Sequence, residues 1–329
     1  MQNIIVTVII PTYNYEKYIL SAVESINNQT YPSNLIEIII IDDGSTDGTE
    51  VLIKKHENPI RIKYHYQQNQ GKAAATQKGI DLSCGDIIFN LDADDYFYPQ
   101  KIQLVVDIYQ KYPEVVHVGH AAKFVYGNKI STEMEELPAA ISDQPIEGLF
   151  LLEYFLKNRL LFGGGSTFSA KKEILKKNLI PIQVDMYIDE YLIFATAAYG
   201  KSYLLREPLS VWRIHGSNYS VNKDRNALFC KKERLNKSSK ACLDFFTNQS
   251  VYTKKINDLY YLKHLDRILS SKEAHHEKSL TDIYHLFKII LSGKFSLHYL
   301  VKYKLINRLL PSSLIRILKK IKSSIKLVC

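Results

Sequence analysis

The sequence predicts an α/β protein: a mostly parallel central sheet flanked by helices, followed by a helical, basic C-terminal extension. Three observations carry this. The first 120 residues alternate strand-like and helix-like patterns, and repeated strand–helix–strand order makes parallel βαβ units with helices on both faces. Ile4–Ile10 and Ile36–Ile41 are nearly continuous β-branched runs, as in strands buried on both faces. From Ile283 to Cys329 there are ten Lys/Arg and no Asp/Glu, whereas residues 1–282 hold 33 basic against 34 acidic residues.

Each element has its own justification. After the strand Ile4–Ile10, Glu16–Asn28 carries Ile19, Ala22, Val23 and Ile26 at helical spacing, with Asn14 as N-cap. Ile36–Ile41 is the second strand, Thr49–His56 a short helix and Ile60–Tyr66 the third strand. Lys72–Leu82 reads as a helix ending near Cys84 and Gly85, and Ile87–Leu91 as the fourth strand. Pro99–Tyr112 is a helix with proline at its first position and a second proline just past its end. Beyond Val115 the pattern loosens. Val115–Val118 and Ala121–Tyr126 read as strands of a less regular sheet, and the polar, acidic stretch 128–147 as a surface loop. Gly148–Arg159 and Lys171–Asn178 are helical, split by a flexible triple-glycine loop at 163–165. Asp189–Tyr199 is a helix, followed by a strand near Ser202–Leu205, and from about Lys223 the pattern is helical throughout. The expected division is an α/β domain over 1–222, with halves 1–112 and 113–222, and a helical region over 223–329.

The chain has 329 residues, enough for two domains or one large domain plus an extension. Apolar residues at 46% and charged residues at 23% exclude wholesale disorder. The four cysteines are scattered without a CxxC pair, which excludes a disulfide scaffold and a thiolate zinc site and suits a reducing compartment. No apolar run is long enough for a spanning helix, and the first residues lack the basic segment and cleavage site of a signal peptide.

Ligands of open parallel sheets bind at the carboxyl ends of the strands. Pro11-Thr12-Tyr13-Asn14 follows the first strand, Asp42-Asp43-Gly44-Ser45-Thr46-Asp47-Gly48 the second, and Asp92-Ala93-Asp94-Asp95 the fourth. Each cluster alone reads as a turn. Together they gather six aspartates at one edge, and mutually repelling carboxylates are best tolerated beside a divalent cation or cationic substrate. Competing nucleotide signatures fail: no GxGxxG follows the first strand, and Gly71-Lys72 and Gly200-Lys201 lack the rest of a phosphate-binding loop.

The stretches Val8–Asn14, Ile41–Thr49 and Leu91–Asp95 resemble, in order and spacing, the N-terminal signatures of family 2 glycosyltransferases. Tyr187–Tyr191 and Trp212–Ser220 extend the resemblance to roughly residues 4–220. It implies a GT-A fold, Rossmann-like in its sheet, and inverting transfer from a nucleotide sugar. It further implies that Pro11, Tyr13 and Asp43 hold the nucleobase and Asp92 the ribose. Asp94 would bind Mg²⁺ or Mn²⁺, and Arg213 and His215 would lie over the diphosphate or metal. Asp189 would be the general base; its other reading is a helix N-cap. His215 also reads as an ordinary surface histidine. Where the family often has Arg and Asn in the helix after the third strand, this chain has Thr76 and Gln77, leaving Lys72 or Lys78 to stand in as the cation.

The implied partners are a nucleotide-sugar donor, with UDP-sugars favoured from the resemblance, and a glycan or lipid-linked acceptor in cell-surface polysaccharide or lipid-linked glycan assembly. The tail adds a physical partner. Leu314, Ile317, Leu318, Ile321, Ile325 and Val328 recur at helical spacing within Pro311–Val328, with Lys and Arg between them. That describes a helix lying on an anionic membrane, and its alternative is a helix docked on the domain with a solvated basic face. The expected location is cytoplasmic, at the inner face of the cell membrane. Leu and Ile, rather than stacking aromatics, interleave the tail's basic residues, which argues against nucleic acid. The remaining rivals are a nucleotide-binding protein without transferase activity and a basic-tail interaction protein.

Overall fold

The run of Val and Ile at the start becomes β1 (Val6–Thr12), buried along its whole length. The chain continues through α1 (Ile19–Asn27), β2 (Ile36–Asp42), α2 (Thr49–Lys55), β3 (Ile62–Tyr66), α3 (Lys72–Leu82) and β4 (Ile87–Asn90). These four strands are parallel, in the spatial order β3-β2-β1-β4. The molecule is described from a computed structural model, which covers residues 3–127, 129–215, 225–273 and 284.

The sheet then turns mixed. Next come β5 (Tyr96–Phe97), α4 (Lys101–Lys111), β6 (Val115–Tyr126), β7 (Lys129–Met134), β8 (Pro145–Glu147) and α5 (Gly148–Asn158). They are followed by β9 (Ser169–Lys171), α6 (Lys172–Leu175), α7 (Ile188–Ala197) and β10 (Lys201–Ile214). β9 runs antiparallel to both β4 and β6, β10 parallel to β6, and β5 antiparallel to β10. β7 and β8 pair antiparallel with β6 and β10. Two helices end the described chain, α8 (Arg225–Thr247) and α9 (Lys254–Glu273).

Burial on two faces fixes the strands. Val6, Val8, Ile10, Ile38 and Ile40 pack with Ile19, Val23 and Ile26 of α1 and with Ile102 and Val105 of α4. Ile39 and Ile41 point the other way, onto Ala75 of α3. Fully burying such a side chain is worth roughly 1.5–3 kcal/mol. Each strand is therefore held in register up to its carboxyl end, where Thr12, Asp42 and Tyr66 lie side by side.

Several expectations are corrected. Asn14 does not cap α1. It sits at φ 60° in the preceding loop, where its Oδ1 accepts from the Thr46 amide at 2.8 Å, and α1 begins at Ile19 without a side-chain cap. Pro99 precedes α4 by a turn. The two strands expected over 115–126 are one, and the stretch 128–147 contributes β7 and β8 to the sheet. β10 runs nine residues past Leu205, because register shifts at Pro208 absorb the residue that cannot donate to a ladder. The helix expected over Lys171–Asn178 is the four-residue α6.

The chain divides into two compact units at Ile256/Asn257, so α8 falls within the first. Ser238 of α8 donates to the Gln183 carbonyl at 2.7 Å and accepts the Met186 amide at 3.0 Å. Among the described residues, no helix is long and apolar enough to cross a membrane. The amphipathic stretch Pro311–Val328 lies outside the described residues.

Candidate active site

The ends of β1 and β2 build one wall. Asp43, nearly buried, accepts three hydrogen bonds: from Gln67 Nε2 at 2.8 Å, the Gln70 amide at 2.9 Å and the Gly71 amide at 2.7 Å. It thereby ties the loop after β3 to the start of α3. Its own amide donates to the Thr12 carbonyl, one residue past the buried Pro11. Tyr13 and Tyr66 remain exposed at this edge. Asp42 serves the fold, accepting from the Ser45 amide at 2.7 Å and the Tyr64 hydroxyl at 2.6 Å.

The cluster after β4 splits into three roles. Asp92 accepts from Lys72 Nζ on both carboxylate oxygens, at 2.8 and 2.9 Å. Asp94 meets His215 Nε2 at 3.2 Å. Burial, then the charge of Asp92, raises the Asp94 pKa above the ordinary carboxylate range, while Lys72 and His215 oppose the rise. The Tyr15 pKa is raised, first by burial and then by the charges of Asp94 and Asp92. The His215 ring stacks on Tyr18, centroids 4.5 Å apart. Asp95 is structural: its carboxylate accepts from Ser166 Oγ at 2.5 Å and from the Arg213 amide at 3.0 Å.

Asp189 comes from the other half of the chain. It lies in the first turn of α7, past the N-cap position, which is Tyr187. The capping alternative is thereby set aside. Its Oδ1 lies 3.7 Å from Lys72 Nζ and has no hydrogen-bond partner among the described residues. Burial raises its pKa, Lys72 opposes this and Asp92 adds to it. Lys72 itself, although burial works against its charge, is raised above the ordinary lysine range by Asp189 and Asp92. The neighbouring Glu190 is buried.

Of the triple glycine, Gly163 and Gly164 lead into the 3-10 turn Gly165–Thr167, and the segment is packed against the site. A Cβ on Gly164 would stand 2.8 Å from Asp189 Cβ. A Cβ on Gly165 would point between the Asp189 and Asp92 carboxylates, 3.6 Å from each. The Gly163 carbonyl is bonded to His117 Nε2 at 3.2 Å, and the Asp92 amide donates to Ser166 Oγ at 3.0 Å. Sequence reasoning missed His117, Ser166 and Tyr15; only the nearness of Tyr15 to the first cluster could have flagged any of them.

The structure thus brings together Asp92, Asp94, Asp189, Lys72 and His215. Arg213 is placed differently. Its guanidinium bonds Ser21 Oγ on α1 and lies over the rings of Tyr96 and Tyr18, 4.8 and 5.6 Å from their centroids. There it lines a cleft of about 640 Å³ with Lys17, Glu24 and Asn28. Lys78 is exposed, and Thr76 donates to the Lys72 carbonyl within α3. Among the described residues no three His, Cys, Asp or Glu side chains converge on a metal position. Asp94 and His215 offer two donors side by side. The Asp94 carboxylate fits Mg²⁺ or Mn²⁺, hard cations that take oxygen ligands, Mg²⁺ commonly through one or two carboxylates plus substrate phosphates; the His215 imidazole is the softer of the two donors.

The model of glycosyl transferase family 2 matches residues 7–179. A Nostoc sp. protein named uncharacterized glycosyltransferase alr2836 is 32% identical over 217 residues, covering 65% of this chain and 66% of the relative. The chain spans only 25% and 14% of two Rickettsia glycosyltransferases that it also matches. Among solved structures, S. aureus TarS in complex with UDP-GlcNAc superposes with TM-score 0.62 at 19% identity, covering 81% of this chain and 73% of that one. The mannosyltransferase PcManGT from Pyrobaculum calidifontis, in complex with GDP-Man and Mn²⁺, gives 0.52 at 17% identity, covering 92% and 86%. These likenesses establish a shared fold, the GT-A arrangement expected from the sequence.

Proposed function

The chain belongs to glycosyl transferase family 2, and on that premise we propose that it moves a sugar from a nucleotide-sugar donor to a hydroxyl acceptor with inversion at the anomeric carbon. The observation that carries this reading is the Lys72 ammonium set between Asp92 and Asp189. On this reading a nucleotide-side carboxylate and the base share one cation. Pro11, Tyr13 and Asp43 are read as the nucleobase wall and Asp92 as the ribose contact. Lys72 faces the diphosphate. Arg213, whose guanidinium bonds Ser21 Oγ on α1, is read as a further diphosphate contact.

The step needs one base and one stabilised leaving group. The acceptor oxygen bonds to the anomeric carbon while the carbon–oxygen bond to the diphosphate breaks. The nucleoside diphosphate leaves with that electron pair. Asp189 takes the acceptor's proton, a role its raised pKa suits. Asp94 and His215 are the residues that would hold Mg²⁺ or Mn²⁺, which supplies charge neutralisation to the departing diphosphate. Lys72 neutralises charge on the same side.

UDP-sugars are the favoured donors; the TarS complex with UDP-GlcNAc supports this, and the PcManGT complex with GDP-Man keeps GDP-sugars in the test. The acceptor is read as a glycan or lipid-linked glycan of the cell surface, with the basic tail holding the enzyme on the inner face of the membrane. Incubation with a panel of UDP-, GDP- and dTDP-sugars tests the reading. Release of one nucleoside diphosphate with the sugar in inverted configuration is expected. Tight nucleotide binding without turnover of any donor would favour the non-catalytic alternative.

A further inference from the structure

Lys101 opens α4, yet its side chain is fully buried. Its Nζ donates to the Ser166 carbonyl at 2.6 Å and to Ser210 Oγ at 3.1 Å, and lies 3.3 Å from the centroid of the Phe97 ring. Both hydrogen-bond partners are neutral. Burying an amine this way is costly, and burial drives its pKa well below the ordinary lysine range. Packing alone would be better served by Leu or Met, since apolar replacements of buried charges are often neutral or stabilising. The lysine is therefore kept for what it holds.

What it holds is the glycine turn. The Ser166 carbonyl accepts a second bond, from Ser210 Oγ at 2.7 Å. Ser166 Oγ links onward, donating to Asp95 and accepting the Asp92 amide. On its other side the turn meets Asp189: a Cβ on Gly165 would stand 3.6 Å from Asp189 Oδ2, and Gly164 leaves no room for a methyl group against its Cβ. One amine in the core thus anchors the backbone that separates Asp189 from Asp92. We propose that Lys101 is a positioning residue of the transfer reaction, fixing the Gly163–Thr167 turn from within the core and, through it, the Asp189 carboxylate relative to Asp92. The proposal rests on the reading of Asp189 as the base.

The test uses the full-length protein, Lys101→Met, and Lys111→Met at the exposed end of α4 as control. Hydrogen exchange of the 163–168 amides reads the turn, UDP binding by calorimetry reads the nucleotide wall, and steady-state kinetics separate kcat from donor KM. Lys101→Met is expected to bind UDP like wild type and to exchange the turn faster. Its kcat should fall by up to about 100-fold, the scale of an ångström-level misplacement, with KM nearly unchanged. Ser210→Ala, which removes the second donor to the same carbonyl, should shift both readouts less in the same direction, and it serves if Lys101→Met does not fold. Wild-type exchange in the turn for both variants, or wild-type kcat in Lys101→Met, overturns the proposal. Failure of the wild-type enzyme to turn over any donor would instead overturn the reading of Asp189, and the proposal with it.

Discussion

Lys72 Nζ lies 2.8 Å from Asp92 and 3.7 Å from Asp189, so one ammonium joins a carboxylate at the end of β4 to one in the first turn of α7. The two halves of the site meet at that contact. Without it, two carboxylates would face each other across a partly buried gap and repel.

The first prediction removes this cation. Lys72 works against the burial that raises the Asp189 pKa. In Lys72→Met the Asp189 pKa rises further, so less of the base is ionised at neutral pH. The acid limb of the kcat–pH profile should move to higher pH, and nucleotide diphosphate affinity should fall. An acid limb that stays in place would break the link between Lys72 and the base.

Asp94→Ala tests the cation donors. Asp94 and His215 are the pair proposed to hold Mg²⁺ or Mn²⁺. Calorimetric titration with nucleoside diphosphate, with and without Mn²⁺, should show metal-enhanced binding in wild type and none in the variant. Unchanged metal enhancement would assign the cation to other residues.

His117 gives a pH signature of stability. Burial holds its pKa at about 4, against an ordinary value near 6.5, with its bond to the Gly163 carbonyl partly offsetting this. Between those values the unfolded chain binds the proton and the folded chain does not, so stability falls as pH drops from 6.5 towards 4. Below 4 both states are charged and the contribution levels off. Urea midpoints across pH 4–7 should show a shallower decline in His117→Gln than in wild type. Parallel declines would show that His117 does not titrate as its burial requires.

Much of this architecture was legible because buried parallel strands leave a strong signature. The Ile and Val runs of β1 and β2 need apolar cover on both faces, and the aspartates that follow them can only lie at the carboxyl edge. Thr76 and Gln77 made Lys72 or Lys78 readable as a stand-in cation without choosing between them; in the fold Lys72 lies against Asp92 and Lys78 is exposed. Other features depend on partners far away in sequence. Lys101 looks like a solvated residue at a helix start until Ser166, 65 positions later, supplies its acceptor. The position of Arg213 beside Tyr18, Tyr96 and Ser21 likewise joins residues distant in the chain. β10 was cut short because Arg206, Glu207 and Pro208 interrupt its apolar run, and a bulge lets the strand continue past them.

The tail prediction stands on charge and pattern alone. Full-length protein should co-sediment with liposomes in proportion to their anionic lipid content, and a version ending near Asp282 should not. Attraction screened over about 8 Å at physiological salt should weaken as salt rises, while the apolar stripe through Leu314, Ile321 and Ile325 leaves a salt-resistant remainder. Equal binding by the two proteins would reduce the tail to a solvated or docked helix.

The most direct measurement of the central claim is Asp189→Asn, with donor binding and sugar transfer followed in the same preparation. The substitution keeps the side chain's shape beside Lys72 and Gly165 but removes its capacity to take a proton. Nucleotide-sugar affinity should stay close to wild type while kcat falls by about 10²–10⁴-fold, the usual scale for loss of a general base. Near-normal turnover in Asp189→Asn, with Glu190→Gln inactive instead, would contradict the account and move the base to the buried neighbour.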